Sequence, residues 1–204
     1  AEWDGAARLW RFAVRGGARY TAQVFVTAWG QLNKPAIPAF EGLESFRGEM
    51  FHSAEWDGSV PLAGKRVASV GNAASAVQYV PEIAPEVGHL TVFQRTANWI
   101  MPRNQIVFDP AQLDAYEADP ALFDASRAHL HAFRENGFSR TQVGSEAQAE
   151  GIRLAQEHLE KQVPDPDLRA KLTPDYEFGC KRILRSDDFF PALCRENVAL
   201  ETRR

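Results

Sequence analysis

The 204-residue chain is 45% hydrophobic and 25% charged, with a formal net charge of −4. That balance allows a buried core in one or two ordinary domains and disfavours nucleic acid as the principal partner. No apolar run approaches the roughly 20 residues of a membrane span and the first residues do not form a signal peptide, so a cytoplasmic location is the default expectation.

At the N-terminus, Trp10 to Val14 and Tyr20 to Ala28 are strand-like runs joined by Arg-Gly-Gly-Ala, whose glycines supply the positive φ of a hairpin turn. The second run reads as a buried strand ending at Gly30, and the two prolines of the following Gln-Leu-Asn-Lys-Pro-Ala-Ile-Pro-Ala-Phe stretch exclude regular structure there. After a segment with aromatic anchors, Phe46 to Asp57, and a short linker comes the stretch around which the chain is organised, Lys65 to Arg95. It reads as strand, tight turn, helix, strand. The apolar run Val67 to Val70 ends at Gly71, a helix opens near Ala74, and Leu90 to Phe93 forms the second strand.

The turn Gly71-Asn72-Ala73-Ala74-Ser75-Ala76 corresponds to the dinucleotide-binding pattern GxGxxG/A, with Ala73 in place of the middle glycine. At the end of the second strand, such units choose between NAD and NADP. A carboxylate there accepts from the ribose 2′-hydroxyl, whereas a guanidinium takes the 2′-phosphate in a charge-assisted fork. The position is occupied by Arg95, which predicts NADPH; the alternative is a solvated arginine at a strand end.

Beyond it, Asp109-Pro110 and Asp119-Pro120 each set an N-cap acceptor before a first-turn proline, and Gly137 is a C-terminal stop. Helices of roughly 8 and 17 residues follow. Ser145 and Gln148 have capping-box spacing, and Ile152, Ala155, Leu159 and Val163 form one apolar stripe that predicts a core face. His129 and His131 fall on different sides of a helix, so they are not a ligand pair. Cys180 and Cys194 have neither disulfide nor metal spacing. The basic residues between Phe178 and Leu193 would, by composition alone, be a solvated face, and Val198 to Glu201 is a final strand.

Phe46, Gly48, His52, Trp56 and Asp57 fit the pattern FxGxxxHxxxWD. With it, the chain resembles the type I Baeyer–Villiger monooxygenases, flavoproteins that use FAD and NADPH. The resemblance implies an α/β fold: a Rossmann-like NADPH-binding domain over 65–101 and 175–204, a helical insertion over 102–174, a fingerprint linker over 46–64, and a remnant β-region of an FAD-binding domain over 1–45. It also implies further FAD-domain segments before and after this chain, which alone would not be competent. The implied reaction consumes O2 and inserts one oxygen atom next to a ketone carbonyl, giving an ester or lactone. By the same resemblance, Gly71, Asn72, Ala73, Ser75 and Ala76 cradle the pyrophosphate, with Gln78 a weaker candidate. Arg95, Thr96 and Lys181 meet the 2′-phosphate, Arg182 is the catalytic arginine, and His52 couples domains without an acid/base role. Two departures stand out: Ala73, and Trp29 where many relatives have threonine in an Ala-Thr-Gly against the FAD. The alternatives are a nitrogen- or sulfur-oxygenating flavin monooxygenase, against which the Trp56-Asp57 ending argues, and a non-catalytic NADPH-binding module.

Overall fold

A computed structural model describes residues 1–30 and 32–203; Gln31 of the expected loop and Arg204 at the end of the chain lie outside the described residues. The chain divides into two units, Ala1–Gly58 and Ser59–Arg204.

In the first unit, β1 (Glu2–Asp4), β2 (Leu9–Ala13) and β3 (Arg19–Ala22) form an antiparallel meander. The expected hairpin closes through the Val14 amide, which donates to Ala18 O at 3.0 Å, and Gly16 and Gly17 take φ of 108° and 92°. The expected strand Tyr20 to Ala28 is corrected, because the ladder stops at Ala22, which pairs with Trp10. Past that pair β2 runs out into a turn at Arg8 (φ 53°), and a strand without a facing strand has no ladder to join. Phe25 instead lays its ring against Trp10 and Phe12, at centroid distances of 5.4 and 4.9 Å, while Val24 and Val26 are 75% and 76% exposed.

The second unit is α/β. Strand β4 (Arg66–Val70), helix α1 (Ala74–Ile83) and strand β5 (His89–Phe93) form a parallel crossover unit. A final strand, β8 (Val198–Glu201), adds in parallel beside β5, giving the order β4-β5-β8. Leu90 and Val92 point into the core, where α1 contributes Val77 and Val80. On the opposite face, the register pair Val70 and Phe93 is exposed.

After β5 the chain makes β6 (Ile100–Met101), runs through α2 (Pro110–Ala118), α3 (Pro120–Asn136), α4 (Glu146–Gln162) and α5 (Pro166–Leu172), and returns at β7 (Leu184–Arg185). β7 pairs in parallel with β6 and is followed by α6 (Phe189–Leu193). The caps form as the sequence predicts: Asp109, Asp119 and Ser145 accept from Gln112 N, Ala121 N and Gln148 N. Asp165 does the same for α5, which the sequence reading did not separate. Gly137 follows the last residue of α3 but keeps a helical φ of −75°, because the chain continues directly into a short 3-10 helix, Phe138–Thr141. Ala155 and Leu159 of α4, and Val163 at its C-cap, are buried as predicted. Leu159 and Val163 enter the core of α1 and β5, while Ala155 joins Trp99, Met101 and Phe178 in a second cluster. No helix of the described residues is long and apolar enough to cross a membrane.

Gly151 of α4 lies against the fully buried ring of Phe178, and a Cβ there would stand 2.8 Å from that ring. Gly151→Ala should therefore lower stability by about 1–3 kcal/mol, although alanine is the better helix former. A chemical denaturation midpoint above that of the wild type would show that the ring gives way.

Candidate functional site

The turn between β4 and α1 has the geometry its sequence asks for. Gly71 takes φ 105°, which favours glycine, and its amide donates to Phe93 O at 3.0 Å. A Cβ at Gly71 would meet nothing within 4 Å, so the space beside the turn is open. Ala73 has φ −84° and ψ −162°, extended backbone that any residue adopts, so its methyl group brings no backbone strain. Helices α2 to α5 are each capped by an Asp or Ser side chain, whereas the N-terminus of α1 has no side-chain cap. Its first amides are left to point at an anion. Ser75 is exposed in that first turn, and Ala76 is turned into the core. Gln78 spends its amide on its own helix, donating to Ala74 O at 3.0 Å.

Asn72 is buried and fastens the turn to the end of β5. Its Nδ2 donates to Gln94 Oε1 at 2.7 Å and to Thr96 O at 3.0 Å, and Asn98 Nδ2 donates to Asn72 O at 3.0 Å. Gln94 and Thr96, the residues on either side of Arg95, are thereby held while Arg95 projects from between them. Gln94 and Asn98 were not singled out in the sequence. A signal for Gln94 was present, since it continues the inward alternation Leu90, Val92, Gln94.

The second group of candidate residues arrives on the return to β7. Trp99 Nε1 donates to Tyr176 O at 2.9 Å, the Trp99 amide donates to Tyr176 Oη at 3.4 Å, and Leu184 N donates to Trp99 O at 2.9 Å. These bonds lay the segment after Arg95 and Thr96 alongside the one bearing Lys181 and Arg182. Lys181 Nζ stands 4.2 Å from the centre of the Tyr176 ring, a cation–π contact. Burial pushes the Tyr176 phenol above its usual range, so the ring stays neutral beneath the ammonium. Arg95 and Arg182 are exposed and, among the described residues, have neither a hydrogen-bond nor an ion-pair partner. Such cations can receive an anionic ligand without first breaking an internal pair.

The Phe178-Gly179 corner sets the course of that return. Gly179 takes φ 95° against Thr141, and Gln148 of α4, also buried, donates from Nε2 to Phe178 O at 3.0 Å. Gln148 Oε1 accepts from Gly144 N at 2.8 Å, so the expected capping box closes one residue earlier than its usual reciprocal partner, Ser145.

The fingerprint residues belong to the first unit. The Phe46 ring lies over Gly48, where a Cβ would stand 2.6 Å from it. His52 Nδ1 accepts from Ala54 N at 3.1 Å and starts the short 3-10 helix Ser53–Glu55, and the rings of Phe51 and Trp56 meet edge to face at 5.1 Å, just before Asp57. Among the described residues no cluster of His, Cys, Asp and Glu could hold a metal ion.

Residues 17–113 match the family model described as flavin-binding monooxygenase-like. The chain is 40% identical over 200 residues to a Baeyer–Villiger monooxygenase of Pseudomonas aeruginosa, covering 98% of this chain and 38% of that protein. It is 43% identical over 202 residues to one of Streptomyces coelicolor, covering 96% of this chain and again 38% of the relative. A solved structure of OTEMO in complex with FAD and NADP superposes with a TM-score of 0.78 at 26% identity, covering 96% of this chain and 44% of that one. The chain thus spans well under half the length of these relatives.

Replacing Gln148 by methionine keeps the volume but strands the Phe178 carbonyl and the Gly144 amide. It should cost about 1–3 kcal/mol in a denaturation experiment; an unchanged stability would show that the buried amide does not hold this corner.

Proposed function

We propose, for a chain that is a part-length relative of the Baeyer–Villiger monooxygenases, that the protein is an NADPH- and FAD-dependent enzyme that uses O2 to convert a ketone to an ester or lactone. The observation that carries this reading is the conjunction of the Phe46-to-Asp57 fingerprint with a parallel strand–turn–helix–strand unit that ends in an exposed arginine, Arg95, unpaired among the described residues. The relatives' names and the FAD and NADP in the OTEMO complex support the cofactors. A cytoplasmic location goes with this reading.

The residues present fit NADPH. The open space at Gly71 and the uncapped N-terminus of α1 suit a pyrophosphate, with Asn72, Ala73, Ser75 and Ala76 shaping the turn. Arg95 would take the 2′-phosphate in a bidentate fork, Thr96 would add a hydroxyl donor, and Lys181 a point charge. The flavin, when bound, supplies reduction by NADPH and activation of dioxygen. Arg182 is the catalytic residue in this reading, since a guanidinium cannot lose its proton. It offers a fixed positive charge where negative charge develops on oxygen. Phe46, Gly48, His52, Trp56 and Asp57 are the fingerprint in this reading, in which His52, its Nδ1 accepting from the Ala54 amide, has a domain-coupling and not an acid/base role.

Two measurements test the assignments in the full-length protein. Arg95→Asp should raise the Kd for NADPH by about 100-fold while changing that for NADH far less; equal losses would separate Arg95 from the 2′-phosphate. Arg182→Ala should leave flavin reduction by NADPH measurable in stopped flow and cut ester formation by about 100-fold or more. An unchanged ester yield would remove the catalytic assignment.

A further inference from the structure

We infer that Gln94 and Asn72 are positioning residues for cofactor choice: together they fix where Arg95 stands relative to the pyrophosphate turn, and so set the preference for NADPH over NADH. The inference rests on the NADPH reading above and adds the residues that give it its selectivity.

Gln94 is 5% and Asn72 9% exposed, and their amide orientations are forced. Thr96 O is a carbonyl and can only accept, so the atom of Asn72 facing it at 3.0 Å is the NH2 nitrogen. That nitrogen can only donate, so the atom of Gln94 facing it at 2.7 Å is the carbonyl oxygen. The NH2 of Gln94 then points the other way and donates to Lys171 O at 2.7 Å. Each of these polar atoms has its partner, and the chain of bonds has one direction, from the turn through β5 to α5.

Three consequences follow for the ligand. Asn72 reaches from inside the turn to the backbone on the far side of Arg95, so one side chain links the turn to the segment that carries Arg95. Gln94, immediately before Arg95, is anchored at its other end to α5, where the neighbouring Leu172 is buried in the shared core. The turn itself does not depend on either side chain, because Gly71 N donates to Phe93 O and Asn98 donates to the Asn72 backbone carbonyl. At the other end Gln94 N donates to Glu201 O at 2.8 Å, and beyond that ladder bond Thr96 O is met by the Asn72 side chain, so loss of the side-chain bonds falls on the stretch from the Gln94 side chain to Thr96 that carries Arg95. A bidentate fork is sensitive to misplacement by about 1 Å. The pyrophosphate end, common to NADPH and NADH, is held by backbone.

The test is equilibrium titration of the full-length protein with NADPH and with NADH, for the wild type, Arg95→Ala, Asn72→Ala and Gln94→Met, with the melting temperature of each. The wild type should prefer NADPH, and Arg95→Ala should define the ratio without discrimination. Asn72→Ala and Gln94→Met should each lower the NADPH-to-NADH affinity ratio by about tenfold, beyond any loss common to both ligands. If one variant does not fold, the other carries the same readout. A lowered melting temperature with the wild-type ratio retained, while Arg95→Ala loses it, would overturn this inference alone and leave the two amides a purely structural role. No NADPH preference in the wild type would overturn the NADPH reading, and this inference with it.

Discussion

Three parallel strands cannot enclose themselves, and this constraint governs the second unit. Leu90 and Val92 of the central strand reach 0% exposure because helices from both sides of a long excursion meet over them. Helix α1 supplies Val77 and Val80, the excursion supplies Leu159, Val163 and Leu172, and α6 supplies Phe189 and Phe190. The face that Leu90 and Val92 present needs such cover, and the crossover helix together with the later helices supplies it. The helical excursion between β6 and β7 is thus no appendage. Its helices α4 and α5 are part of the core against which α1 and β5 pack, on either side of the Gly71 turn.

Position at the candidate site follows from the same arrangement. The turn at Gly71 is set by strand and helix, but the candidate cations come from two segments 85 or so residues apart in sequence, at Arg95 and at Lys181-Arg182. What brings their segments together is the short β6–β7 pairing with the Trp99–Tyr176 bonds, and what orients them is a buried glutamine in each case. Gln94 ties the first segment to α5, and Gln148 of α4 ties down the second. Buried amides of this kind stabilise little in net terms when satisfied and cost much when stranded, which makes them specifiers of geometry. The cations themselves stay exposed, with Lys181 leaning on Tyr176, and Arg95 and Arg182 without partners among the described residues.

Much of this was legible in the sequence because the signals are local. The turn motif, the aspartate and serine caps, the α4 stripe and the final strand all depend on residues within a few positions of one another, and each formed. The Tyr20 to Ala28 run misled because apolarity reports burial potential and not ladder partners; beyond the Trp10–Ala22 pair β2 has one residue left, Leu9, before the turn at Arg8. Gly137 ends α3 as expected, with a helical φ because the chain runs on into the 3-10 helix. The glutamine anchors were hard to read because each bond joins residues far apart in sequence, Gln94 to Lys171 and Gln148 to Phe178. A polar residue in an inward phase is the one local mark they leave.

The Ala73 departure shows how such a reading should be weighed. Glycine at the middle position of the motif is useful for close approach of a pyrophosphate, and alanine brings a methyl group to that place. Yet the backbone there is extended with negative φ, so the substitution carries no conformational penalty, and the position is exposed. The flexible requirement of the motif falls on Gly71, which has the positive φ and the open space. Sequence patterns treat the glycines alike, whereas the fold asks for glycine at the first and tolerates a small side chain at the second. The methyl group of Ala73 therefore bears only on the space beside the turn, and the first amides of α1, the candidate donors, carry no competing side-chain cap.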